Sequence, residues 1–549
     1  GFRNTGVGLD SLRLNTTGVQ NTAVGSFALD QNTTASNNTA IGHNTLNQNT
    51  TGTQNVAVGS SALDANTTGQ YNTALGFEAL GSNTTASNNV ALGRAALFSN
   101  TTGANNVAVG RQALYSNSTG YDNTAIGELA MDANTTGVYN SALGSGSLGA
   151  NTTGVQNTAI GTFALHNNQT GMNNTALGYS ALLNNTGSGN IAVGSFCLDA
   201  NTSGGSNVAV GQNALTANTT ASTNTAVGQS ALAANTTGTD NVAVGAYALD
   251  ANTTASSNTA VGDNAGGKIT TGTQNVMIGR SACKEATTVN DVTYVGDRAG
   301  DSNTGSQNTG IGGRALSAGS GSGSNNTAVG FFSQYSGNDG QYNVSMGNYS
   351  LEKQTSGNYN VAIGFEAGEE TTSGDSNTWV GGLAGAACTT GSNNVGIGRS
   401  AMLSLTTGIS NVAVGKSALD ACTTGENNVA IGTSALTDLS DQSKSTGVGV
   451  LAGENAVGTQ NVFVGFQAGQ GATSGCNGQD NVAVGKDAML VFTSGSHNTV
   501  VGREAGSNLT SGTNNLLLGK RAGTSSSPSG LMNNENNIIC LGDNSIVTA

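Results

Sequence analysis

Residues 55–71 read NVAVGSSALDANTTGQY, and residues 411–427 repeat the same frame as NVAVGKSALDACTTGEN, with a cysteine where the first has an asparagine. The glycine that closes each NVAVG-like stretch recurs at Gly8, Gly25, Gly42, Gly59 and Gly76, always 17 residues on. Thirty-two such glycines run to Gly502, Gly519 and Gly542. The spacing tightens to 16 before Gly194, Gly312 and Gly465, and widens to 18 at Gly330, 20 at Gly485 and 23 at Gly542. A period this short and persistent specifies a solenoid. Counted from its first Asn, the unit is N-(T/V)-A-(V/I/L)-G-x-x-A-L-x-x-N-T-T-G-x-x.

Alternation within NTAVG is the period of a β-strand. Position four is apolar in all thirty-two units and position two is almost always Thr or Val. Both are expected to point into the coil, with the position-three alanines outside. The Ala-Leu pair at positions eight and nine is expected to begin a second short inward strand, and NTTG to turn the chain back. Helix is disfavoured by the abundance of Gly, Asn and Thr and by the lack of a 3.6-residue pattern. The fold class expected is therefore all-β, a β-solenoid of about thirty-two rungs.

The cysteine substitution bears on the asparagine at position twelve. That position is Asn in the first fifteen units, among them Asn15, Asn32, Asn49, Asn66, Asn83 and Asn100. Later it holds Ile269, Cys388, Leu405, Cys422, Leu439, Phe492 and Leu509. A position that exchanges Asn for Leu, Phe and Cys belongs to an interior. Stacked amides there can satisfy one another, forming an internal ladder. The N-x-T glycan reading gives way to burial. A second ladder is expected at position one, Asn in twenty-nine units, tying the preceding turn to the strand.

One rung buries too little apolar surface to offset the entropy of ordering seventeen residues, so rungs must stack. A flat alanine strip at position three, if exposed, would suit packing between copies of the chain, and a homotrimer is expected. Residues 1–262 read as a regular shaft. Residues 263–549 continue it less regularly, with longer loops, Ala-Gly replacing Ala-Leu, and Tyr294, Trp379 and Phe463 at position three. Stacked at about 4.8 Å, thirty-two rungs would reach about 150 Å.

Only 9% of residues are charged, the net charge is −14, and no basic stripe occurs, which argues against nucleic-acid binding. No apolar run is long enough for a membrane helix, so no membrane insertion is expected. Gly1 falls in mid-pattern, as expected of a processed product or a fragment. The six cysteines show no metal spacing, and Cys197 and Cys283 replace core Ala and Leu. His43, His166 and His497 occupy different repeat positions, and the carboxylates do not cluster as glycoside-cleaving sites require. No catalytic, metal or cofactor site is expected. Aromatics after the closing glycine, Phe77, Tyr179, Phe331, Phe332 and Phe365, are the candidate surface contacts, for sugars or for neighbouring chains.

The stretches NVAVGSSAL, NTAIGHNTL and NNVALGRAAL resemble the head repeats of trimeric autotransporter adhesins. The longer unit with NTTG is similar to repeats of bacteriophage tail fibres and bacterial surface proteins that precede an endosialidase-type intramolecular chaperone, and NNIICLGDNSIVTA looks like the region before that chaperone. The resemblance implies a homotrimeric fibre, located outside the cell, on its surface or on a virion. It implies attachment to a surface glycan or protein receptor. An ice-binding solenoid is the alternative expectation and a carbohydrate-cleaving fibre the third.

Overall fold

The computed structural model describes residues 2–317, 319, 321–337, 339–527 and 529–545. Among them are thirty-two strands of three residues each, from β1 (Thr5–Val7) to β32 (Ile539–Leu541), and no helix. The chain is a β-solenoid that divides into two units, Gly1–Gln274 and Asn275–Ala549. The first holds β1 to β16 (Thr259–Val261), and the second β17 (Val276–Ile278) to β32.

Within each unit every strand pairs in parallel with the next at identical repeat positions: Thr22↔Thr39, Ala23↔Ala40, Val24↔Ile41. The register survives the irregular rungs, since Val462 pairs with Val482 and Leu516 with Ile539 across the long spacings. Extra residues are therefore absorbed in the turns, and the strand stack stays even. The closing glycine is required by this stacking. Gly59 has φ +135°, and a Cβ on it would sit 2.3 Å from the carbonyl oxygen of Gly76 one rung on.

The faces of the strand are the reverse of the sequence expectation. Position three points in: Ala23, Ala40, Ala57 and Ala74 are fully buried. Positions two and four point out, with Ile41 40% and Leu143 47% exposed. The position-three alanines therefore form no outer strip, and the interface inferred from them does not exist. Among the described residues the expected second strand is absent, and positions six to eleven of the regular rungs form turns instead. Positions eight and nine nonetheless face the core, as Ala62 and Leu63 do.

The reason is cross-section. The leucine at position nine, held at positive φ (Leu63, 52°), already fills the narrow interior, leaving room for only a methyl at position three. Where position three is aromatic, position nine is glycine: Tyr294 with Gly300, Trp379 with Gly385, Phe463 with Gly469. The Trp379 indole occupies space released by three glycines. A Cβ on Gly385, Gly368 or Gly396 would lie 2.4, 2.6 or 2.8 Å from the ring. The exchange leaves the buried indole Nε1–H without an acceptor.

Trp379→Ala should cost about 3–5 kcal/mol through the cavity it opens. Adding Gly385→Leu, which recreates the common rung, should recover about half of that loss, whereas Gly385→Leu beside Trp379 should not fold at that rung. Native-state hydrogen exchange of the amides of β23 (Thr378–Val380) reads all three variants.

Candidate functional site

Two amide ladders line the interior. At position twelve, Asn32 Nδ2 donates to Asn15 Oδ1 at 2.7 Å and to the Ala35 carbonyl at 3.1 Å, three residues ahead. Asn49, Asn66, Asn83 and Asn100 repeat this pair of bonds with the asparagine below and the carbonyl at position fifteen. The side-chain nitrogens a glycan would need are buried and engaged. At position one, Asn38 Nδ2 donates to the Gly52 carbonyl, and its Oδ1 accepts the backbone N–H of Asn55. The turn so tied is the one that follows in the same rung, fourteen residues on, rather than the preceding one.

The regular position-twelve ladder ends at Asn252. It donates to Asn235 Oδ1 and the Ala255 carbonyl, but Ile269 occupies the next rung and Asn252 Oδ1 has no donor. Where cysteine replaces asparagine, the thiols of Cys388 and Cys422 point to the carbonyls of Gly391 and Gly425 at 3.6 and 3.9 Å. These are the same position-fifteen oxygens that the asparagines serve, so a weak thiol donor stands in for an amide. Burial pushes the Cys388 thiol up to about 12 and that of Cys422 to about 11, despite those contacts, which keeps both protonated.

Asn134→Ala should lower stability by about 1–3 kcal/mol, because it strands Asn117 Oδ1 in the interior and takes the inter-rung acceptor from Asn151 Nδ2, while the Gly137 carbonyl keeps its bond from Asn123 Nδ2. Asn252→Ala should cost less, since its oxygen supports nothing. Urea unfolding midpoints compare the two.

Outside, the charged side chains pair between rungs at like positions: Arg13 with Asp30, Arg111 with Glu128, Arg280 with Asp297, Lys353 with Glu370. The last three pairs are exposed on both sides and contribute little, whereas Asp30 is buried beneath Arg13. The three histidines lie apart. His43 packs edge-on to Phe27, His166 contacts the Gly146 carbonyl at 2.7 Å, and His497 lies 3.6 Å from Asp480. Among the described residues, no three His, Cys, Asp or Glu side chains are placed to hold a metal ion, and no helix could cross a membrane.

Position-ten aspartates are half-buried at the core margin. Burial raises the pKa of Asp64, Asp132, Asp250 and Asp420 above the ordinary value, against the backbone N–H groups that solvate them. Glu78 adds to the rise at Asp64 and Asp438 to that at Asp420, while His166 opposes it at Asp132. In the window just above 3.8 the folded chain therefore binds more protons than the unfolded one. Stability should fall as pH rises through that window and stay lower at neutrality. Replacing these four aspartates by asparagine should raise the melting temperature near pH 7 and flatten its dependence between about pH 4 and 7.

The candidate contacts Phe77, Tyr179, Phe331 and Phe365 are each about half exposed, and Phe332 is partly covered. The structure brings three of them together. Phe331 lies 4.4 Å from Phe332 and 5.9 Å from Tyr349, and Phe365 lies 6.2 Å from Tyr349. Tyr335 packs on Phe332 at 4.5 Å, and the Arg314 guanidinium stands 5.4 Å over the same ring. Four successive rungs thus contribute five rings and one cation. Tyr179 is elsewhere, edge-on to Phe196 at 5.3 Å, and Phe77 makes no ring contact among the described residues. Tyr335, Tyr349 and Arg314 were not singled out from sequence. Their repeat positions, ten, seven and seven, fall one rung or less from Phe331 and Phe332, and that spacing is the signal for them.

No protein-family model matches this chain. No curated protein matches it either.

Proposed function

We propose that the chain is a non-enzymatic structural fibre, its rungs a chemically inert shaft and its outward turns a contact surface for a cell-surface glycan. This is the work of an adhesin or a virion fibre outside the cell. The reading rests on the aromatic cluster from Arg314 to Phe365. Aromatic faces stack on the apolar C–H faces of sugars, and a guanidinium donates to their hydroxyls. A rigid stack of like rungs holds such groups in fixed spacing with little ordering left to do on binding. The interior supports an inert shaft, since its amides bond one another and burial keeps the thiols of Cys197, Cys283, Cys388 and Cys422 protonated.

Binding of the full chain to an array of bacterial and eukaryotic surface glycans is the test. Phe331→Ala with Phe365→Ala should weaken the retained glycan at least tenfold while leaving the fold intact, because both rings are half exposed. An array that retains nothing, or binding that the double variant leaves unchanged, would sink the reading.

Ice binding is the second reading, and the outward turn of position two favours it. Thr22, Thr39, Thr73 and Thr124 stand half-buried on the outer face of the parallel stack, contrary to the sequence expectation that threonine there points inward. Thermal hysteresis of the purified chain measures it directly.

A further inference from the structure

The outer strand face carries an apolar strip that the core does not use. In the first unit it includes Val24, Ile41, Leu75, Ile126, Leu143, Ile160 and Leu177, each between 36% and 48% exposed. In the second it includes Ile278, Ile311, Met346, Ile363, Ile397 and Ile431. Position two beside it holds only Thr, Val, Ser, Ile or Leu. None of the 17 basic or 31 acidic residues of the chain lies on a strand.

We propose that this face, positions two and four of successive rungs, is an interface at which copies of this chain pack on one another. Three observations select a second copy as the occupant. The first is area. With strands about 4.8 Å apart and a strip about 10 Å wide, sixteen strands present about 700 Å² per unit, close to the roughly 800 Å² per partner of a standard interface. Half of the position-two residues are Thr or Ser, so about three quarters of that area is apolar, the size of patch that marks an interaction site on a soluble protein.

The second is periodicity. Side chains on the strip repeat with the rise of the rungs, and the register is kept through rungs of 16, 18, 20 and 23 residues. A partner that meets each ridge of the strip with a groove must share that rise, and another copy of this stack does. The third is charge. A strip free of charge offers nothing to an acidic or basic partner, whereas two such strips desolvate one another without leaving an ion unpaired. The interface is independent of the aromatic cluster, which lies on the turns and stays open when the strands are covered.

Light scattering of the intact chain gives the test. The mass should be a multiple of 54.0 kDa, threefold on the sequence expectation. Leu177→Lys with Ile397→Lys should bring it to 54.0 kDa with the β-circular dichroism retained, and Gln229→Lys, on an exposed turn position, should change nothing. A wild-type mass of 54.0 kDa overturns the proposal, and the uncovered strip then passes to the ice-binding reading. A double-lysine variant that keeps the wild-type mass overturns it too. Should the lysines prevent folding, Leu177→Thr with Ile397→Thr decides. The dissociation constant must rise at least tenfold, and an unchanged constant refutes the interface.

Discussion

The regular rungs from Asn15 to Asn252 depend on the bond from one asparagine side chain to the asparagine one rung below. A rung of seventeen residues has too small an interior to satisfy its own turn carbonyls, and water is excluded from them. The position-twelve amide solves both problems at once. One N–H caps the turn carbonyl of its own rung and the other joins the rung beneath, as in Asn66 to Gly69 and Asn49. The position-one amide reaches the same carbonyl from the strand, Asn55 to Gly69, and its oxygen accepts the backbone N–H of Asn72 in the next rung. Because each residue serves its own rung and its neighbour, neither turn geometry nor stacking distance can drift alone.

The interior between those ladders is filled by a fixed volume that residues share. A leucine at position nine with an alanine at position three is one filling, and an aromatic at position three with a glycine at position nine is another. In the second unit the position-twelve amides give way to Cys388, Leu405, Cys422 and Leu439, which merge with the same core. Phe492 at that position packs against Phe463 of the preceding rung at 5.6 Å. The second unit thus replaces amide bonding with packing, and keeps the strand register while doing so.

The repeat, the strand and the asparagine interior were legible in the sequence because period and substitution pattern carry them. Asn66 and Cys422 at one position could only be buried. Which strand face is inside was not legible from alternation, which separates two faces without ranking them. Hydrophobicity then pointed the wrong way, for the valines and isoleucines are outside and the alanines within. The deciding signal lay in pairs rather than single columns. Trp379 with Gly385 and Tyr294 with Gly300 compensate each other in volume, and only side chains that meet in a core have reason to do so. The aromatic contacts were half legible. Phe331 and Phe365 stood out, but Tyr349, which joins them, and Tyr335, which packs on Phe332, emerge only when repeat positions are stacked rung on rung.

The position-twelve ladder is also directional. Each amide spends one N–H on its own turn and points the other toward the lower-numbered rung, so the last finished rung presents an acceptor to the next and never a donor. Asn252 shows such an end, its oxygen facing the rung that follows. A chain made from its amino terminus therefore delivers each new rung with the donor that the waiting acceptor lacks. Synthesis and stacking run in the same sense, and the growing edge of the solenoid is its own template.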